Sequence, residues 1–189
     1  MTDVIDMLAG LPSDSDLRAA RPTAREYAQK SHEALFVTVR DGLMPVGERL
    51  AVACFVAGLH GDAPAMEMYA GLLAESDAAG LSDAIAAAVK AGRTEGPYGT
   101  FPEGPLSVED TPGMTFTADA DALGARLAAA FDHAHLLVFH PRDAGRDAIV
   151  ALTEAGWNAT DIVTLSQLIS FLSFQIRAGA GLRVLAATR

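Results

Sequence analysis

Cysteine is nearly missing from these 189 residues: Cys54 stands alone. No disulfide can close within the chain, and no cysteine cluster can hold zinc. Basic charge is scarce too, with 14 Lys and Arg against 24 Asp and Glu and a formal net charge of −10. That balance leaves no basic stripe to follow a phosphate backbone, so nucleic acid is excluded as a partner. Aromatic residues reach only 6%, and alanine carries much of the apolar fraction, which suits helices packed through small side chains better than a β-sandwich. Met1 to Gly10 has no basic segment followed by an apolar one, and no run reaches the ~20 apolar residues needed to cross a bilayer. The longest apolar stretch, Ile162 to Ile176, is interrupted by Thr164, Ser166, Gln167, Ser170, Ser173 and Gln175, so it reads as a core helix. The expectation is a cytoplasmic protein with no membrane partner.

What is present is a large apolar reserve, 50% of the residues, enough for one sizeable core and hence a single all-α domain over 1–189. Two helical halves are expected, about 23–92 and about 119–182, with a loop over 93–118 between them. In the first half, Thr23 reads as the N-cap of a helix over Ala24 to Val39. Pro45 and Gly47 then introduce an apolar helix from Glu48 to His60 that Gly61 should terminate. Asp62 caps the next helix, with Met66, Tyr69, Leu72 and Leu73 inward. Gly80 opens a shorter one, capped by Ser82 and stopped by Gly92. Residues 93–118 hold four prolines and four glycines, too many for a regular element. The aromatic residues Tyr98, Phe101 and Phe116 favour an ordered segment that wraps a neighbouring surface. The second half resumes with Asp119 to Phe139, ended by His140-Pro141, then Asp143 to Ala155. A long helix follows from an Asn158 cap to about Ala178, where Gly179 and Gly181 should end it.

The stretch Gly156-Trp-Asn-Ala-Thr-Asp-Ile-Val-Thr-Leu-Ser-Gln-Leu-Ile-Ser-Phe-Leu-Ser-Phe-Gln-Ile-Arg resembles the last helix of peroxidase-related members of the carboxymuconolactone decarboxylase and alkylhydroperoxidase D-like superfamily. Pro45-Val-Gly-Glu-Arg-Leu-Ala-Val-Ala-Cys-Phe-Val-Ala-Gly-Leu-His-Gly-Asp resembles the helix leading into that superfamily's redox motif. Together the likeness spans roughly residues 40 to 185, and it implies a multi-helix bundle that assembles as a homo-oligomer, dimer or trimer-based, with the loop from Arg93 to Ala118 as the segment that embraces a neighbouring subunit. In the thiol enzymes a glycine precedes Cys-x-x-Cys, and a histidine follows four residues later. With Gly61 placed on that glycine, the cysteine positions fall on Asp62 and Ala65 and the histidine on Tyr69. An acidic residue one helix earlier falls on Glu48 or on Leu50. The dithiol is therefore missing, and the resemblance points to a thiol-independent member, because decarboxylase-type relatives also work without Cys-x-x-Cys.

The candidate pocket lining is Glu48, His60, Asp62, Tyr69, Gln167 and Arg177, each with a structural reading beside the functional one. His60 sits at a helix C-terminus, where an imidazolium is favoured and can bond the last carbonyls. Asp62 is an N-cap, and Tyr69 is either core or a hydroxyl that orients a carbonyl ligand. Ser166, Ser170, Ser173 and Arg177 form one polar stripe on the last helix, facing another subunit or an anion held by Arg177. Gln167, with Phe171 and Phe174 beside it, lines the same cavity or covers core. Cys54 reads as an inert core thiol, with a peroxidatic role resolved by an external thiol as the alternative. His133 and His135 lie about 200° apart on one helix, and His133 and His140 are roughly 10 Å apart along it, so no metal site is expected and these histidines read as solvated or capping. No cofactor is expected. The function reads as a small-molecule enzyme or binder; the alternatives are a non-catalytic oligomeric scaffold and a hydroperoxide reductase using Cys54.

Overall fold

A computed structural model describes residues 3–39 and 44–188; residues 40–43, where the family resemblance begins, lie outside the described residues. Nine α-helices and no strand are found among the described residues, and 69% is helical. They are α1 Val4–Leu8, α2 Pro22–Phe36, α3 Val46–His60, α4 Ala63–Ala74, α5 Ser82–Gly92, α6 Ala120–Leu123, α7 Ala125–Phe139, α8 Arg146–Glu154 and α9 Ala159–Ala187. The expected all-α bundle is the architecture observed.

From Leu50 to Leu59 helix α3 carries no charged residue on any side, and such a stretch must be enclosed. It packs against α4, α5, α7 and α9 at once, with Ala51, Val52, Ala53, Phe55, Val56 and Ala57 fully buried. Gly58 makes the α5 contact possible, because a Cβ there would lie 2.4 Å from the Val89 side chain. Gly61 closes α3 in the left-handed conformation at φ 64°, and Asp62 caps α4 by accepting from the Ala65 amide at 3.1 Å. Both had been expected. The inward stripe of α4 differs from expectation: it is Ala65, Tyr69 and Leu73, while Met66 and Leu72 are 40% and 38% exposed.

Several boundaries also moved. Helix α2 starts at Pro22 with no side-chain cap, so Thr23 lies inside it and proline's fixed φ opens the first turn instead. It ends at Phe36, short of Val39. Ser82 caps nothing; its hydroxyl donates back to the Ala79 carbonyl at 2.8 Å, across a 3₁₀ turn over Ala79–Leu81. The expected helix from Asp119 to Phe139 breaks at Gly124, whose φ of 77° splits it into α6 and α7. Pro141–Asp143 form a 3₁₀ turn, and α8 begins only at Arg146.

The largest difference is at the end of α9, which runs through Gly179 and Gly181 to Ala187. Gly179 is a packing residue: a Cβ there would lie 3.1 Å from Leu8 Cβ, where α1 crosses. Helix α1 has no counterpart in the sequence reading, since five residues are too few to show a helical period. It is held by ion pairs from Arg18 and Arg25 to the buried Asp3 and Asp6, and Arg183 of α9 donates to the Leu8 carbonyl and to Asp62. By length and composition α9 is the one helix among the described residues able to cross a membrane, with 33% of its apolar window buried inside the chain. Within the bundle its Leu165, Leu168, Ile169 and Leu172 belong to the same core as α3 and α7.

The loop of residues 93–118 is ordered against its own chain. Gly99 and Thr111 pair as an isolated antiparallel bridge, and the Tyr98 amide donates to the Phe139 carbonyl at 2.6 Å. The Tyr98 ring covers Gly113, where a Cβ would lie 2.1 Å from it. Phe116 stacks on Phe55 and on His135, at centroid distances of 5.5 and 5.0 Å. The surface it wraps is α7.

Candidate functional site

The six residues expected to share a pocket are distributed over several places. Glu48, at the start of α3, accepts from Arg126 Nε at 2.9 Å, and the same guanidinium reaches Asp161 at 3.2 Å. Gln167 is exposed and borders a surface depression with Leu35, Arg49 and Thr164. The other four lie where the end of α3, the start of α4 and the second half of α9 meet. There His60 Nε2 is 3.1 Å from Ser173 Oγ, Asp62 pairs with Arg183, and the buried Tyr69 hydroxyl accepts from Gln175 Nε2. Arg177 is exposed, close enough to His60 to act on it electrostatically. Glu48 is twelve residues up α3 from His60, roughly 18 Å along the axis.

His60 departs from its expected behaviour. It bonds a serine hydroxyl rather than the last carbonyls, and burial, reinforced by Arg177 against a smaller pull from Asp62, depresses its pKa to about 4. His32, His133 and His135 are also shifted down, chiefly by burial. The sign follows from linkage: the unfolded chain binds protons near 6.5 while these folded imidazoles stay neutral. For His60 the stabilising contribution is complete above about pH 6.5 and is lost as pH falls toward 4, and the other three act in the same direction. Urea unfolding between pH 7.5 and 4.5 should show stability declining over this window. His60→Gln should flatten the decline by up to about 1.4 kcal/mol per pH unit; an unchanged slope would contradict the assignment.

A mostly apolar cavity lies elsewhere, on the outer side of α7. About 360 Å³ in volume, it is bounded by Ala129, Asp132, His133, His135, Leu136 and His140, by Thr115 and Phe116 of the loop, by Asp143, and by Ala148 and Ala151 of α8. The three histidines expected to be solvated or capping are 5%, 3% and 6% exposed, because each is covered by a different neighbour: His133 by Ser166 of α9, His135 by Gly92 and Phe116, and His140 by Met114 of the loop. Nε2 of His133 lies 3.0 Å from Ser166 Oγ, and its Nδ1 is buried without a partner. Nε2 of His135 donates to the Gly92 carbonyl at 2.9 Å, which leaves Nδ1 of the neutral ring as a lone pair. His140 is committed on both sides: Nε2 donates to the Met114 carbonyl at 2.8 Å and Nδ1 lies 3.1 Å from Asp143 Oδ2.

Asp132 is the least compensated group in this wall. It accepts from the Ala118 amide at 2.7 Å, and among the described residues no Lys or Arg stands within ion-pair distance. Burial raises its pKa, with the Ala118 hydrogen bond opposing. The Asp143 carboxylate is shifted the other way, first by the Thr100 amide and then by His140 and Arg142. No group of three or more His, Cys, Asp or Glu among the described residues is placed to share a metal ion. The arrangement offers an apolar floor and imidazoles beside a carboxylate whose pKa burial raises, residue types that carry proton transfer.

Two residues that matter here escaped the sequence reading. Asp132 sits beside the noted histidines but only the fold-back of Ala118 shows its setting. Gln175, fully buried with its Oε1 unpartnered, was visible only as a polar break in an apolar run. Comparisons with protein families, with curated proteins and with solved structures return no match for this chain.

Proposed function

We propose that the chain takes up a small organic molecule in the α7–α8 cavity, as a binder or as an enzyme acting by proton transfer rather than thiol chemistry. The observation that carries this is about 360 Å³ of mostly apolar space walled by Asp132, which has no cationic partner, and by the buried His133 and His135. Concave apolar sites with a few convergent polar groups of shifted pKa are where ligands bind, typically in roughly 300–1,000 Å³. The reading keeps the protein beside the thiol-independent members of the superfamily it resembles, with Asp62, Ala65 and Tyr69 standing where relatives carry the dithiol and histidine. A cytoplasmic location is part of the same proposal.

The test is a fragment screen by NMR that follows the imidazole resonances of His133 and His135, repeated on a cavity-filling Ala148→Phe variant. Fragments should perturb both rings and bind the filled variant at least about 10-fold more weakly. Fragments that bind both proteins alike would refute the site.

A homo-oligomer, dimer or trimer-based, is a second proposal, favoured by one observation. The outer face of α9 leaves Val163, Phe174 and Val184 57%, 52% and 68% exposed, the kind of apolar face that subunit contacts cover. Light scattering that returned a monomer mass at tens of micromolar would refute it.

A further inference from the structure

We propose that the α7–α8 cavity selects a small organic cation, a protonated amine on an apolar body, with Asp132 as its anchor. This rests on the reading of that cavity as the ligand site and goes further by naming the charge of the ligand. Asp132 and Asp143 are carboxylates, and ionised carboxylates only accept hydrogen bonds. His135 has already given its Nε2 proton to Gly92, and both nitrogens of His140 are taken up by Met114 and Asp143. No Lys or Arg lines the space. A carboxylate or phosphate ligand would find no Lys or Arg there and would meet Asp132, a carboxylate without a cationic partner, whereas Asp143 is already engaged by His140 and the Thr100 amide.

A cation meets the opposite situation. Asp132 bears a desolvation cost that one backbone amide offsets only in part, and an ammonium group would complete its coordination. His133, 5% exposed, lines the same space with Nε2 3.0 Å from Ser166 Oγ, and burial disfavours its charged form, so it adds no competing cation. Leu136, Ala129, Ala148 and Phe116 supply the apolar contact for the body of the ligand.

The experiment is calorimetric titration of the full chain with three probes of nearly equal size: benzylamine, benzyl alcohol and benzoate. Benzylamine should bind at least about 10-fold more tightly than benzyl alcohol, the lower end for a hydrogen bond made to a charged group, with benzoate weakest. Asp132→Asn, checked for native circular dichroism and melting, should bring amine and alcohol within about threefold of each other. Equal affinity for amine and alcohol, preference for benzoate, or amine selectivity that survives in Asp132→Asn would overturn the cation assignment while leaving the cavity as a binding site. Failure of all three probes to bind would overturn the cavity reading and this inference with it.

Discussion

Replacing Asp161 with alanine is expected to lower the unfolding free energy by about 3 kcal/mol, the lower end of the range for removing one partner of a buried charge pair. The Asp161 side chain is 7% exposed and serves three donors. It accepts from the fully buried Met44 amide at 2.9 Å, from Asn158 Nδ2 at 2.9 Å and from Arg126 Nη2 at 3.2 Å. These donors come from the approach to α3, from the cap of α9 and from α7, so one carboxylate ties three helix starts together. Alanine leaves the Met44 amide without an acceptor, a cost of about 1–3 kcal/mol by itself. Arg126 keeps Glu48 and its position 3.9 Å over the Trp157 ring, which is why the loss stays near the lower figure. Asp161→Asn preserves an acceptor for Met44 but gives up the charge and should cost less. Urea denaturation with an unchanged m-value, and a fall in Tm of roughly 6–12 °C for a chain of this size, are the measures. A loss under about 1 kcal/mol would mean that water replaces the carboxylate at all three donors.

Which parts of this molecule could be read from residues alone depends on how local their causes are. The turn from α3 to α4 was legible because Gly61 and Asp62 act within four residues of themselves. Buried α3 was legible because its apolar residues leave no polar face. The end of α9 was misread because Gly179 looks like a helix stop, whereas its bare backbone serves a contact with Leu8. Propensity at that position is overridden by tertiary packing. The candidate pocket was dispersed for the same reason. Its members were chosen by helix position, but the partners that fixed them, Arg126 for Glu48 and Gln175 for Tyr69, lie 78 and 106 residues away. The α7 cavity was half visible, since the spacing of His133 and His140 puts them on one face. What encloses that face is Phe116 and Ala148, brought in by a Pro/Gly loop whose path no periodicity describes.

Cys54 is expected to react with a disulfide reagent at least about 50-fold more slowly in the native chain than in the unfolded one. Burial pushes its thiol from 9.0 up to about 12, which reduces the thiolate present near neutral pH by about 1,000-fold. A more basic thiolate is also a better nucleophile, and that recovers roughly 20-fold of the deficit. The balance gives the expected factor, before any steric obstruction by the core against which Cys54 packs. Its neighbour Tyr69 gives no relief, because a phenol whose own pKa is raised by burial has no positive charge to share with a thiolate. Peroxide reduction starts from a thiolate and ends with a resolving thiol, and this chain has neither a ready first sulfur nor a second one. Release of nitrothiobenzoate at pH 8, native against guanidinium-unfolded, measures the rate ratio, and hydroperoxide consumption by wild type and Cys54→Ser measures the consequence. Equal reagent rates in the two states, or peroxide turnover that disappears with the sulfur, would restore a thiol route and remove the reason for placing the chemistry in the α7–α8 cavity.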